Sequence, residues 1–153
     1  MNRKWLVFPL SAAVMFVLGV IAAPGLRGAD DETPLGKVME QVNKHNSTIT
    51  RATRNKTNFA KSRKDVEKSA KEFVKLAKEA KPMKDAVEKA KKADGQKMWD
   101  TYMDDFIKSS EKLGELAGKS SATYEQAKSA WTDVKKSCAD CHREFRVEEG
   151  EKF

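Results

Sequence analysis

The chain has 153 residues, a formal net charge of +7, and only two cysteines and two histidines. That length suits one domain of ordinary size and is too short for two. Lysines alternate with acidic residues over 61–97, without the row of aromatic side chains that a platform for single-stranded nucleic acid requires. We therefore expect no nucleic-acid binding. Neither a Ser/His/Asp set nor a Gly-rich phosphate loop is visible, so the sequence does not predict an enzyme.

The N-terminal segment has the charge pattern of an export signal. Arg3 and Lys4 precede an uncharged stretch over 5–23. We predict a signal over 1–29 that is removed, although the long apolar stretch is also compatible with an uncleaved membrane anchor. Because the basic end stays on the cytoplasmic side, the domain over 30–153 should lie in the periplasm. The signal contains three basic residues and no acidic ones, which leaves +4 for this domain.

The rest of the chain reads as helical, because it has no strand-like alternation and its apolar residues recur at spacings of three and four. The predicted helices begin at Pro34 after a Thr33 cap, at a Ser62 cap, just before Met98 and near Ser121, with a short helical piece over 84–93. Four amphipathic helices joined by short loops bury their apolar faces best as an antiparallel four-helix bundle. The expected fold class is therefore all-α.

The last predicted helix contains the two cysteines and one of the histidines in five consecutive residues. Cys138, Cys141 and His142 follow the order C-x-x-C-H, with the cysteines one helical turn apart. Two thiols at this spacing can reach the two vinyl groups of one porphyrin, and the adjacent imidazole can ligate its iron. The motif predicts one covalently attached haem c, bound near the C-terminal helix.

Three other interpretations of these residues remain. A closed zinc site would need a fourth ligand, from His45, a carboxylate or another molecule. A redox dithiol would need a βαβ context, which the helical periodicity does not supply. Coincidence would have to explain why the only two cysteines adjoin one of only two histidines.

A bound haem would also need residues from other helices over its second face. The first helix offers Met39, and the third offers Trp99, Met103 and Phe106 as apolar walls. An isolated methionine on a helical stripe is more often core than ligand, so periodicity alone leaves the sixth ligand open. His45 lies about 120° from Met39 around the first helix, which favours a flank position.

The position of the motif on the last helix, and its "CADCHREFR" sequence over 138–146, resemble the cytochrome c-prime superfamily of four-helix proteins. The stretch "VMEQVNKHN" over 38–46 is similar to the opening helix of the low-spin, His/Met-ligated members. The resemblance implies that Met39 supplies a sulfur ligand opposite His142. The five-coordinate members usually have an Arg and a Gln at this point of the first helix, whereas this chain has Leu35 and Gly36 there.

This resemblance implies a periplasmic mono-haem cytochrome that carries single electrons. The alternative is a five-coordinate protein that binds NO or CO at an open sixth site. Arg146, one turn beyond His142, would pair with a haem propionate or remain a solvated helix-end cation. Expected partners are redox proteins, acidic ones being favoured by the lysines. Pairing of exposed helix faces would give a homodimer, and membrane attachment is expected only if the N-terminal segment stays uncleaved.

Overall fold

The structure, a computed structural model, describes residues 33–146. This part of the chain is built from four long helices and one short helix, which confirms the predicted all-α class. The helices are α1 (Pro34–Ala52), α2 (Lys56–Ala80), α3 (Asp85–Ala90), α4 (Gly95–Gly118) and α5 (Tyr124–Phe145). The predicted export signal over 1–29 lies outside the described residues. None of the helices over 33–146 combines the length and hydropathy needed to cross a bilayer.

Two helices begin at residues whose side chains cap them, as local sequence motifs indicate. At α1 the Thr33 hydroxyl accepts a hydrogen bond from the Gly36 backbone N–H at 2.9 Å, as the Thr-Pro start predicts. At α5 the Thr123 hydroxyl and the Gln126 side chain form a reciprocal capping box. This box sets the start of α5 slightly after the predicted position near Ser121.

The predicted start of α2 at Ser62 is wrong. The helix begins at Lys56, because the Asn55 side chain accepts a hydrogen bond from the Asn58 N–H at 2.8 Å and caps it earlier. Phe59, only 3% exposed, anchors this first turn in the core. Ser62 lies inside the helix with non-helical angles, φ −114° and ψ 18°, so the residue expected to cap the helix marks a kink in it.

The buried apolar residues divide into two clusters at opposite ends of the long helices. The first, here the aromatic cluster, joins the C-terminal halves of α1 and α4 to α2 and the N-terminal half of α5. Its buried members are Ile49, Ala52, Phe59, Val66, Ala70, Phe73, Ala77, Phe106, Leu113, Ala117, Ala127, Ala130, Trp131 and Val134. Phe73 is fully buried at its centre, with its ring 5.2 Å from Phe106 and 6.2 Å from Trp131.

The second, here the methionine cluster, joins the opposite ends of the same four helices and includes α3. Its buried members are Val38, Leu76, Ala80, Ala86, Trp99, Met103, Cys141 and Phe145, and packed against them are the partly buried Leu35, Met39, Val42, Met83, Val87, Ala90, Met98 and Tyr102. All four methionines of residues 33–146 belong to it. The fold thus gathers its soft, flexible side chains at one end.

Successive long helices pack side by side. The pairs α1–α2, α2–α4 and α4–α5 have extensive close backbone contact, and α3 packs against both α4 and α5. The pair α1–α5 is not among the extensively packed pairs. Within residues 33–146, α1 therefore packs mainly on α2, and its backbone contacts with α4 and α5 are both slight.

Candidate functional site

The C-x-x-C-H motif lies in the C-terminal part of α5, at the boundary between the two clusters. Cys141 is 6% exposed and belongs to the methionine cluster, whereas the half-buried Cys138 packs against the aromatic cluster. His142 is exposed on the same turn. The helix therefore presents two sulfur atoms to the protein interior and an imidazole at its edge.

Both thiols are free, and burial makes them weak acids. It raises the pKa of Cys138 to about 11 and that of Cys141 to about 12. Their place near the helix C-terminus also disfavours a negative charge. A redox dithiol instead needs a lowered thiol pKa, commonly supplied by a helix N-terminus, so this environment counts against that interpretation.

His142 has the environment of an imidazole that stays neutral. Loss of solvation by surrounding protein, followed by the charge of Arg146, lowers its pKa. Its ring makes no hydrogen bond or ion pair with residues 33–146. A neutral ring with an available nitrogen is what iron ligation requires.

Arg146 lies beyond the last helical residue, Phe145. Its backbone N–H donates to the His142 carbonyl at 3.0 Å, but its own φ and ψ, −82° and 107°, are extended. Arg146 thus stands at the C-cap of α5, one turn beyond His142, and its pairing with a haem propionate stays a prediction. Its side chain is exposed and close enough to affect the pKa of the imidazole.

The residue before Cys141, Asp140, organises the outer side of the motif. Its carboxylate lies 3.1 Å from both the Lys136 ammonium and the Arg143 guanidinium. The hydrogen bond from Lys136 is the main cause of its lowered pKa, and Arg143 adds to it. These ion pairs, three and four residues apart, brace the turn that bears the motif.

The three motif side chains do not converge on one point. Cys141 faces the interior and His142 faces solvent, and in the described part of the chain no group of three or more His, Cys, Asp or Glu side chains is placed to hold a metal ion. They therefore do not form a tetrahedral zinc site in this arrangement.

The structure brings Met39 into the same cluster as Cys141, although the two lie near opposite ends of the domain sequence. Met39 packs on the methionine cluster from α1 and remains partly exposed. His45 faces α2 instead, with its Nδ1 3.3 Å from the Ser69 hydroxyl and its ring 6.3 Å from Phe73. Of the two ligand candidates on α1, only Met39 adjoins the motif's cluster.

Two of the three predicted wall residues lie in this cluster. Trp99 and Met103 are buried there, 2% and 4% exposed, whereas Phe106 belongs to the aromatic cluster one turn away. The Trp99 indole N–H donates to the Lys81 carbonyl at 3.0 Å, so this ring also ties α4 to the end of α2.

Other contributors were not predicted as site residues. Phe145 contacts the Trp99 ring edge-on at 5.3 Å and Tyr102 at 6.1 Å. Its sequence signal is its position four residues after Cys141, on the same helical face. Helix α3 docks over the cluster, held partly by an ion pair between Lys92 and Glu144. The sequence does not predict this docking, because a helix of only six residues is too short to show a hydrophobic periodicity.

Comparison with known proteins gave no match: no protein-family model, no curated protein and no solved structure matches the chain.

Proposed function

We propose that the protein is a periplasmic mono-haem c-type cytochrome, built as an antiparallel four-helix bundle, that carries single electrons. The observation that carries the proposal is the joint placement of the motif and Met39. Two free thiols with raised pKa values lie one turn apart beside the His142 ring, which makes no hydrogen bond or ion pair with residues 33–146, and Met39 packs on the cluster that contains Cys141. In this proposal Cys138 and Cys141 tether one haem c.

The residues present fit such a group. A thioether tether needs sulfur atoms that are not in a disulfide, and both cysteines meet that requirement. An iron site of high potential needs one imidazole and one thioether, which His142 and Met39 would supply. The helices that carry these two ligands, α1 and α5, are not among the extensively packed pairs of residues 33–146.

The surrounding residues would control the potential rather than perform catalysis. Haem supplies one-electron redox chemistry when bound, and ligation by His and Met in both oxidation states keeps rearrangement small. Trp99 and Met103 would exclude water from the site, because both are buried in the methionine cluster. Their apolar surfaces would favour the less charged, reduced state.

A five-coordinate protein that binds NO or CO is the second candidate, and one observation favours it. The α1 residue buried in the methionine cluster is Val38, 5% exposed, whereas its neighbour Met39 is only partly buried. If Val38 rather than Met39 covered the second face of the haem, the sixth position would lack a protein ligand.

Covalent attachment tests the cofactor. Co-expression of the full chain with a c-type maturation system should give a chromophore that stays with the polypeptide after denaturation, because thioether bonds survive unfolding. Simultaneous replacement Cys138→Ala and Cys141→Ala should abolish this retention. The matched control Ala139→Ser, at the exposed position between the cysteines, should retain it.

A wild-type chain that leaves the maturation system folded but without a bound chromophore would refute the haem proposal. Retention of the chromophore by the double cysteine variant would refute the assigned tethers.

A further inference from the structure

The charges of the long helices are divided unequally. Residues 34–80, which contain α1 and α2, have 12 basic and 5 acidic residues, a net charge of +7. Residues 95–145, which contain α4 and α5, have 8 basic and 9 acidic residues, a net charge of −1. One side of the molecule is thus strongly basic, and the side that carries the C-x-x-C-H motif is nearly neutral.

On α2 the basic residues form a regular row, here the lysine stripe. Its members are Lys61, Lys64, Lys68, Lys71, Lys75 and Lys78, all of them exposed. From Lys64 to Lys78 their spacing of three and four residues confines them to an arc of about 80° along roughly 21 Å of helix, and Lys61 precedes the kink at Ser62. Such a row presents its charges to a single flat or extended surface.

Ion pairs among residues 33–146 involve only the last three lysines of the stripe, although the charge of Lys64 also acts on the Glu67 carboxylate. Three carboxylates pair with the last three lysines: Glu67 with Lys71 at 2.7 Å, Glu72 with Lys75 at 3.8 Å, and Glu111 with Lys78 at 4.0 Å. Lys61, Lys64 and Lys68 make no ion pair with residues 33–146. These three ammonium groups remain available to a partner.

We propose that the lysine stripe docks the protein on an anionic phospholipid bilayer. Protein interfaces are enriched in aromatic residues and arginine and depleted of lysine. The aromatic residues of α2, Phe59 and Phe73, are buried at 3% and 0% exposed, so the stripe offers no aromatic anchor to a protein partner. Phosphate headgroups need only clustered positive charge near the surface.

This orientation would keep the candidate site accessible. The helix pairs α1–α2, α2–α4 and α4–α5 are neighbours, whereas α2 and α5 share much less close contact. Docking through the outer face of α2 therefore directs α5, with Cys138 and His142, away from the bilayer. The proposal depends on the charges of α2 and does not require that haem is bound.

Vesicle flotation of the full chain tests the proposal. Vesicles of phosphatidylcholine with about 30 mol% phosphatidylglycerol should bind the protein at low salt, and about 0.5 M NaCl should release it. Replacing Lys61, Lys64 and Lys68 together by Gln should weaken this binding about a hundredfold, at about fivefold for each lysine.

The matched control replaces three exposed lysines of α5, Lys128, Lys135 and Lys136, by Gln and should change binding by less than about twofold, because α5 shares little close contact with α2. Pure phosphatidylcholine vesicles separate any contribution of the apolar N-terminal segment, which is common to all variants. Circular dichroism verifies that both triple variants keep the wild-type helix content.

Three results would overturn the proposal. The first is no preference for anionic vesicles at low salt. The second is an equal loss of binding in the two triple variants, which would mean that only total charge matters. The third is binding to polyglutamate without binding to anionic vesicles, which would assign the stripe to an acidic protein.

Discussion

The two clusters of this molecule use different side chains for different purposes. The aromatic cluster is built around rings in direct contact, with Phe73 fully buried between Phe106 and Trp131. The methionine cluster also has ring contacts, of Phe145 with Trp99 and Tyr102, but it adds all four methionines of residues 33–146 and many partly exposed members. Rigid rings specify one arrangement, whereas thioether side chains adapt to several. Both ends are well buried, and the second contains the more adaptable side chains.

The motif lies where these two kinds of packing meet. Cys138 packs against the aromatic cluster and Cys141 belongs to the methionine cluster. A group tethered to both sulfur atoms would be anchored on the rigid side and would displace flexible side chains on the other. If haem is bound as proposed, we expect it to displace side chains of the methionine cluster rather than those of the aromatic cluster.

The largest expected effect is on the free energy of unfolding, which core substitutions in the two clusters should change differently. Phe73→Ala should lower the free energy of unfolding by about 3–5 kcal/mol, because it leaves a cavity among rings. The loss should be the same with and without haem. Met103→Ala should cost about 2 kcal/mol without haem, and a different amount with haem, because Met103 lies in the cluster that would contact the group. Urea unfolding measures both variants.

The opposite pattern would contradict the division. If the cost of Phe73→Ala depended on haem and that of Met103→Ala did not, the aromatic cluster would be the one that contacts the group.

A smaller effect, a change of about a hundredfold in the rate of cysteine alkylation, tests the environment of the two thiols. With a pKa of about 11 for Cys138, only about one thiol in a thousand is ionised at pH 8, so alkylation of the haem-free protein should be slow. The rate should rise about tenfold per pH unit between pH 8 and 10, because the thiolate fraction rises in that proportion below the pKa. Denaturant should accelerate alkylation at pH 8 about a hundredfold.

Iodoacetamide labelling followed by mass spectrometry measures these rates for each cysteine. A rate that is already maximal below pH 8 would indicate a lowered thiol pKa and would favour the redox interpretation.

Sequence reasoning succeeded where a local rule acts alone. The start of α1 follows from Thr33 and Pro34. It failed at the start of α2 because two residues, Asn55 and Ser62, can each cap a helix, and the burial of Phe59 decides between them. Such a choice depends on tertiary contacts, which periodicity does not contain.

The candidate site, too, was predictable only where a local rule applies. The spacing of the motif places its cysteines one turn apart, and helical angles place Met39 and His45 on different flanks of α1. The rotation of α1 and α4 about their axes decides two contacts that the sequence did not predict. His45 faces Ser69, and Phe106 packs with the aromatic cluster. The docking of α3 depends on contacts of single residues such as Ala86.

The most direct test of the central claim is the optical spectrum of the haem-loaded protein, compared between wild type and Met39→Ala. The account predicts a low-spin ferric spectrum and no CO binding for wild type, and a high-spin, CO-binding form for the variant. Met98→Ala, which removes another partly buried methionine of the same cluster, should stay low-spin. A high-spin wild type, or a Met39→Ala variant indistinguishable from it, would contradict ligation by Met39 and with it the assignment as an electron carrier.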